Sequence, residues 1–105
     1  MSSEELTKEE SVRIIAGIFP NETRKQIIRL LLGDNEPMMM YHNEICEKLA
    51  GHSKSTVHRH LIEMEMLGIL ESRPDFKSSS DKKLVVFYSI NKKYLDAIRR
   101  YEELL

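Results

Sequence analysis

Residues Tyr41–Leu70, YHNEICEKLAGHSKSTVHRHLIEMEMLGIL, read as two short helices separated by a tight turn. In the first, Ile45 and Leu49 lie four apart and share one face. Gly51 then interrupts the pattern, as expected of a helix C-terminus that adopts positive φ. Ser53 follows as an N-cap whose hydroxyl can accept a backbone N–H of the next turn. From there Val57, Leu61 and Met64 recur at i, i+4 and i+7, an apolar stripe that predicts a buried face. Off that stripe, near the start of the second helix, sit Lys54, Ser55, His58 and Arg59. A short helix, a glycine turn and a second helix with a basic, polar first half form a helix-turn-helix pattern and point to DNA. An ordinary helical hairpin with a solvated outer face gives the same pattern, so the flanking sequence has to decide.

Length and charge narrow the field. A chain of 105 residues is expected to form one domain, with a core but little room for a substrate pocket. Its 41% hydrophobic and 31% charged residues fit a globular protein rather than a disordered one. No apolar run approaches the ~18–20 residues of a membrane span. The polar, acidic opening MSSEELTKEE argues against a secretory signal, and the single Cys46 allows no internal disulfide, so a cytoplasmic location is expected. The net charge of −1 conceals segregation. Residues 1–20 carry Glu4, Glu5, Glu9 and Glu10 against Lys8 and Arg13. Residues 73–93 carry Arg73, Lys77, Lys82, Lys83, Lys92 and Lys93 against Asp75 and Asp81. Local field rather than the total attracts a phosphate backbone.

Thr7 and Glu10 have the spacing of a capping box, and Val12, Ile15, Ala16 and Phe19 make the stripe of a first helix that Pro20 ends. Asn21 caps a second helix, Glu22–Leu32, whose Ile27, Ile28, Leu30, Leu31 and Leu32 cover a wide arc. Gly33 to Pro37 is a loop. Met38–Tyr41 is a short strand or an extended lead-in, its three methionines read as core filling. Beyond the helix pair, Gly68 ends the long helix and Ile69–Arg73 reads as a strand. Pro74–Asp81 is a polar loop, and Leu84–Ile90 is the strongest strand signal in the chain. The two strands make a hairpin. Tyr94, Ile98, Tyr101 and Leu105, widened by Leu95, then return to helical spacing. Such a stripe docks on the protomer's own core or pairs with a second copy, as does that of the first helix.

The order of elements resembles that of a winged-helix domain, and four segments carry the likeness. Pro20–Leu31, PNETRKQIIRLL, resembles the opening of the arsenic-repressor-type (ArsR-like) regulators. Ser53–Leu61, SKSTVHRHL, is similar to their recognition helix. Leu67–Arg73, LGILESR, looks like their helix-to-wing junction, and Phe87–Ile90, FYSI, like their returning wing strand. Residues 19–90 are covered, with 1–18 and 91–105 as helical extensions. MarR-like regulators share much of this pattern. The resemblance implies a mainly α fold with a small antiparallel β-hairpin, a winged helix-turn-helix with N- and C-terminal dimerisation helices. It implies double-stranded DNA as partner, with Lys54, Ser55, Thr56, His58 and Arg59 at the major groove. Arg73, Lys77, Lys82 and Lys83 would supply wing contacts, and Arg24 or Lys25 backbone contacts. His60 would pack beside Leu61. Homodimer contacts would come from Val12, Ile15, Phe19, Tyr94, Leu95, Ile98, Tyr101 and Leu105.

ArsR-like proteins often bind metal through a Cys-x-Cys pair or through ligands on the terminal helices. This chain departs from both patterns, with one cysteine and no histidine in its last helix. His42 and Cys46 stand four apart, a ligand-compatible spacing, but a small buried cysteine beside Ile45 has the same signature, and neither metal nor cofactor is expected. No phosphate loop, nucleophile motif or carboxylate pair suggests an enzyme. The reading is therefore a homodimeric, sequence-specific DNA-binding transcriptional regulator. Its rival is a winged helix used for protein–protein contact in a replication, transcription or RNA-processing assembly. Ile62 and Met66, off the Val57 stripe, are either extra core or a partner surface.

Overall fold

Helix α1 (Lys8–Ile18) begins at the capping box: the Thr7 hydroxyl accepts from the Glu10 N–H, and the Glu10 carboxylate accepts from the Thr7 N–H. Helix α2 (Glu22–Leu32) begins at Asn21, whose side chain accepts from the Arg24 N–H at 3.0 Å. Both start where the sequence places them. The computed structural model describes residues 6–75 and 85–105. Over these residues α1 and α2 are followed by β1 (Met40–Tyr41), α3 (His42–Lys48), α4 (Lys54–Met66), β2 (Leu70–Asp75), β3 (Val85–Ile90) and α5 (Lys92–Arg100). A 3-10 turn, Glu102–Leu104, closes the chain.

The core is drawn from every helix. Ile14 and Ile18 of α1 and Ile27, Ile28, Leu31 and Leu32 of α2 meet Ile45 of α3, Val57, Leu61 and Met64 of α4, and Tyr94 and Ile98 of α5. The face of α1 that enters this core is not the expected one. Ile14, Gly17 and Ile18 turn inward, whereas Val12, Ile15 and Ala16 are exposed and Phe19 is half-buried. Gly17 allows close approach, because a Cβ there would stand 2.9 Å from the Ile69 Cδ1 and 3.0 Å from the Leu67 Cδ1.

The expected hairpin is part of a three-stranded antiparallel sheet, ordered β1-β3-β2. Met40 pairs with Tyr88 and Tyr41 with Phe87, so the short stretch before α3 is a true strand. Of the three methionines only Met40 fills the core; Met38 and Met39 are exposed, which corrects the reading of all three as filling. Side chains alternate across the sheet. Met40, Tyr88, Leu70 and Ile90 face inward, while Tyr41 stacks on Phe87 on the outer face with ring centroids 4.0 Å apart. Pro74 sits on the edge strand β2, where its missing N–H interrupts no interior ladder.

The turn after α4 is a Schellman motif. Gly68 adopts φ 83°, its N–H donates to the Glu65 carbonyl at 2.9 Å, and the Ile69 N–H donates to the Met64 carbonyl at 3.0 Å. Gly51 does not play the role expected of it. Helix α3 ends at Lys48 with Leu49 as C-cap, and the positive-φ glycines among the described residues are Gly33 and Gly68. Asn91 joins the end of the sheet to the Gly68 turn, donating from its side-chain amide to the Gly68 carbonyl at 3.0 Å while its side-chain oxygen caps α5.

Candidate nucleic-acid interface

The site is the outer side of α4 together with the neighbouring sheet edge. Ser53 starts α4: its hydroxyl accepts from the Thr56 N–H at 3.1 Å and donates to the Thr56 hydroxyl at 2.8 Å. That network holds Thr56 in the cap and leaves it half-buried. Lys54, Ser55, His58 and Arg59 are exposed, and neither Lys54 nor Arg59 has an ion-pair partner among the described residues. The first turn of α4 contains no acid, so the positive end of its dipole adds to Lys54.

The acids of α4 are held aside. Glu63 forms an ion pair with Arg24 of α2, and Glu65 accepts a hydrogen bond from the Ser72 hydroxyl of β2. Both carboxylates lie on the flanks of the helix. The outward face that begins with Ser55 and Arg59 therefore carries no negative charge.

Arg24 has a different place from the one the resemblance implied. Instead of reaching outward it spans the helix pair from beneath. Its Nε donates to the His60 Nδ1 at 3.0 Å, one terminal nitrogen to the Gly17 carbonyl at 2.9 Å and the other to Glu63. Its side chain is 16% exposed. Because Nδ1 of His60 accepts, the proton of the neutral ring sits on Nε2. Burial first, and then the Arg24 charge, holds His60 below its ordinary pKa. Lys25 is half-buried beside Glu22, with which it pairs at 3.3 Å. A second tie joins the turn to α2: the His52 Nε2–H donates to the Gln26 side-chain oxygen at 3.3 Å, and its Nδ1 lies 3.4 Å from the Thr23 hydroxyl.

Helix α3 supports α4 through histidines. The His58 Nδ1 lies 3.3 Å from the His42 Nε2, with the rings edge to face. His42 in turn stands 3.7 Å from the Cys46 Sγ. Burial, followed by the charges of His58 and Lys54, lowers the His42 pKa, and burial raises that of the Cys46 thiol. Among the described residues no group of three or more His, Cys, Asp or Glu is arranged to hold a metal ion.

Arg73 is exposed on β2 opposite Phe87, so its side chain shares the outer face with the Tyr41–Phe87 stack. The other residues assigned to the wing, Lys77, Lys82 and Lys83, lie outside the described residues. Of the residues assigned to dimer contacts, Val12 and Ile15 are exposed on α1, and Phe19 meets Tyr101 edge to face at 6.0 Å. Tyr94 and Ile98 are buried within the protomer and offer nothing to a second copy, while Leu95 and Leu105 are half-buried. Helical spacing placed Leu105 on the last stripe, but α5 stops at Arg100 and the 3-10 turn exposes Leu104 instead.

Two helices joined by a capped turn, with a three-stranded sheet flanking the second, define a winged-helix fold. The chain is similar to the solved structure of HlyU from Vibrio cholerae N16961, with a TM-score of 0.67 over 90% of this chain and 91% of that one, at 22% identity. No protein-family model and no curated protein matches the chain. Among the described residues no helix is long and apolar enough to cross a membrane.

Proposed function

We infer that this protein binds double-stranded DNA in a sequence-specific way and acts as a homodimeric transcriptional regulator. The observation that carries the reading is the outward face of α4. It presents Lys54, Ser55 and Arg59 to solvent, has a positive helix end, and has both of its acids tied to neighbouring elements. Helix α4 enters the major groove, Arg59 and Lys54 reach guanine acceptors or phosphates, and Arg73 lies along the adjacent backbone. The sequence between β2 and β3 adds three further cations, Lys77, Lys82 and Lys83. A second copy docks on the exposed apolar side chains Val12 and Ile15 of α1 and Tyr101 and Leu104 of the C-terminus, which the Phe19–Tyr101 ring contact brings together. Arg24 holds the reading helix in place rather than contacting phosphate.

The test is binding to random duplex DNA at rising salt, followed by selection of the bound sequences. Affinity should fall steeply with salt as phosphate contacts release counterions, and a palindromic sequence should be enriched. The double substitution Lys54→Ala, Arg59→Ala should abolish selective binding with an unchanged thermal midpoint. Salt-independent association, or unchanged affinity in the double variant, would favour a protein–protein module instead.

A further inference from the structure

The outward stripe of α4 changes character halfway along. Ser55, Arg59, Ile62 and Met66 follow at i, i+4, i+7 and i+11, and all four are exposed. The first two are a hydroxyl and a cation; the last two are apolar, with Ile62 36% and Met66 81% exposed. The core residues Val57, Leu61 and Met64 lie on another side of the helix, so Ile62, although part of its surface is covered, sits on the outward stripe. The flanking acids are turned away from it, Glu63 to Arg24 and Glu65 to Ser72.

We propose that Ile62 contacts thymine methyl groups in the major groove, so that the helix reads hydrogen-bonding base edges with its first half and methyl groups with its second. This rests on the reading of α4 as the groove helix. The major groove offers one apolar group, the C5-methyl of thymine, beside its donors and acceptors. An exposed isoleucine one turn beyond an arginine without an ion-pair partner among the described residues matches that mixture: the cation suits the acceptor-rich base edges and phosphates, and the isoleucine suits the methyl group beside them. The dimensions agree. At about 1.5 Å of rise per residue, Ser55 to Ile62 spans about 10.5 Å. That lies within the groove's width of about 12 Å, so Ser55, Arg59 and Ile62 fit even if the helix crosses the groove instead of following it. Met66, about 16.5 Å from Ser55, falls outside that width in the same orientation. The apolar residue assigned to base reading is therefore Ile62 alone.

The experiment uses the full chain and the duplex enriched from a random pool, synthesised once with thymine and once with deoxyuridine, which differ only in the methyl group. The wild-type chain should bind the uracil duplex about fourfold more weakly for each contacted methyl lost, the factor expected for one buried methyl group. Ile62→Ala should bind both duplexes alike; because Ile62 is only 36% exposed its melting midpoint should drop by a few degrees, with the chain still folded at the binding temperature. Ile62→Val should keep a reduced preference. Equal wild-type affinity for the two duplexes would overturn the assignment while leaving DNA binding intact. A preference that survives Ile62→Ala would overturn it too, since the methyl would then be read elsewhere. A chain that enriches no duplex would overturn this inference together with the function on which it rests.

Discussion

Replacing Arg24 by alanine removes three interactions at once, and the structure sets their scale. The guanidinium bonds the buried ring of His60, the Gly17 carbonyl and the Glu63 carboxylate, linking α1, α2 and α4. Two acceptors, His60 Nδ1 and Gly17 O, lose their charged donor. A buried group left without a partner costs ~1–3 kcal/mol. The Glu63 pair adds little, because that carboxylate is 45% exposed and screened by water. The two together span about 2–6 kcal/mol, and because single substitutions seldom exceed ~4 kcal/mol the expected cost of Arg24→Ala is about 2–4 kcal/mol, which for a domain of this size lowers the thermal midpoint by roughly 10–20 °C. Circular dichroism melts and urea titrations would measure it. Arg24→Lys should recover little, since an ammonium lacks the planar fork that serves three acceptors in different directions. A midpoint shift below roughly 2 °C, accompanied by weaker DNA binding and a shallower salt dependence, would refute the clamp and restore Arg24 as a phosphate contact.

Other expected outcomes probe separate features. His60 and His42 both have pKa values lowered from 6.5 by burial first, so below that pH the unfolded chain binds more protons than the folded one and stability must fall. Urea midpoints at pH 8, 6.5 and 5.5 should therefore decrease in that order, and a flat series would contradict the lowered pKa values of the buried His60 and half-buried His42. Glu10, pulled down to about 2 chiefly by its bond to Lys93 and then by the Thr7 N–H, contributes stability that is lost as pH drops from 4.5 toward that value. Glu10→Gln should flatten the acid limb of the stability curve over that window. Gly33→Ala should cost at least about 2 kcal/mol, because φ is 66° with ψ −175° and a Cβ would sit 2.5 Å from the Glu36 carbonyl oxygen; a loss under ~1 kcal/mol would contradict the strained geometry. Val12→Glu, at a position 57% exposed, should convert a dimer to a monomer in sedimentation while preserving the protomer's helical content. A persistent dimer would exclude this face.

Much of the fold was legible because local rules act within a few residues. The Thr7–Glu10 box, the Asn21 and Ser53 caps and the Gly68 stop each identify a boundary by chemistry confined to one turn. The Val57, Leu61 and Met64 stripe gave the buried face of α4 correctly, since the opposite stripe, although it carries Ile62 and Met66, begins with the polar Ser55 and Arg59. Helix α1 has two apolar faces, and periodicity could not choose between Val12/Ile15 and Ile14/Ile18. The choice is made by Leu67 and Ile69, some fifty residues away, approaching Gly17. The same limit hid the Arg24 clamp, whose side-chain partners His60 and Glu63 lie on another helix. An arginine at the start of an amphipathic helix looks the same from the sequence whether it faces a phosphate or a buried histidine. Strand β1 is two residues long and exists through its pairing with β3, a partnership that no local propensity encodes.

That short strand has a mechanical consequence. Tyr41 ends β1 and His42 begins α3 without an intervening residue, while Tyr41 is stacked on Phe87 and β1 is bonded to β3. Ser72 fastens the opposite edge of the sheet to Glu65 of α4, and Asn91 fastens its exit to Gly68. Sheet and helix pair are thus riveted at both edges, like the jaws of a caliper locked at one opening. A locked caliper does not adjust to what it measures. On a duplex, differences in groove width and bend would have to be absorbed by the nucleic acid, so sequences that deform easily between the two jaws would be favoured even at bases that no side chain touches.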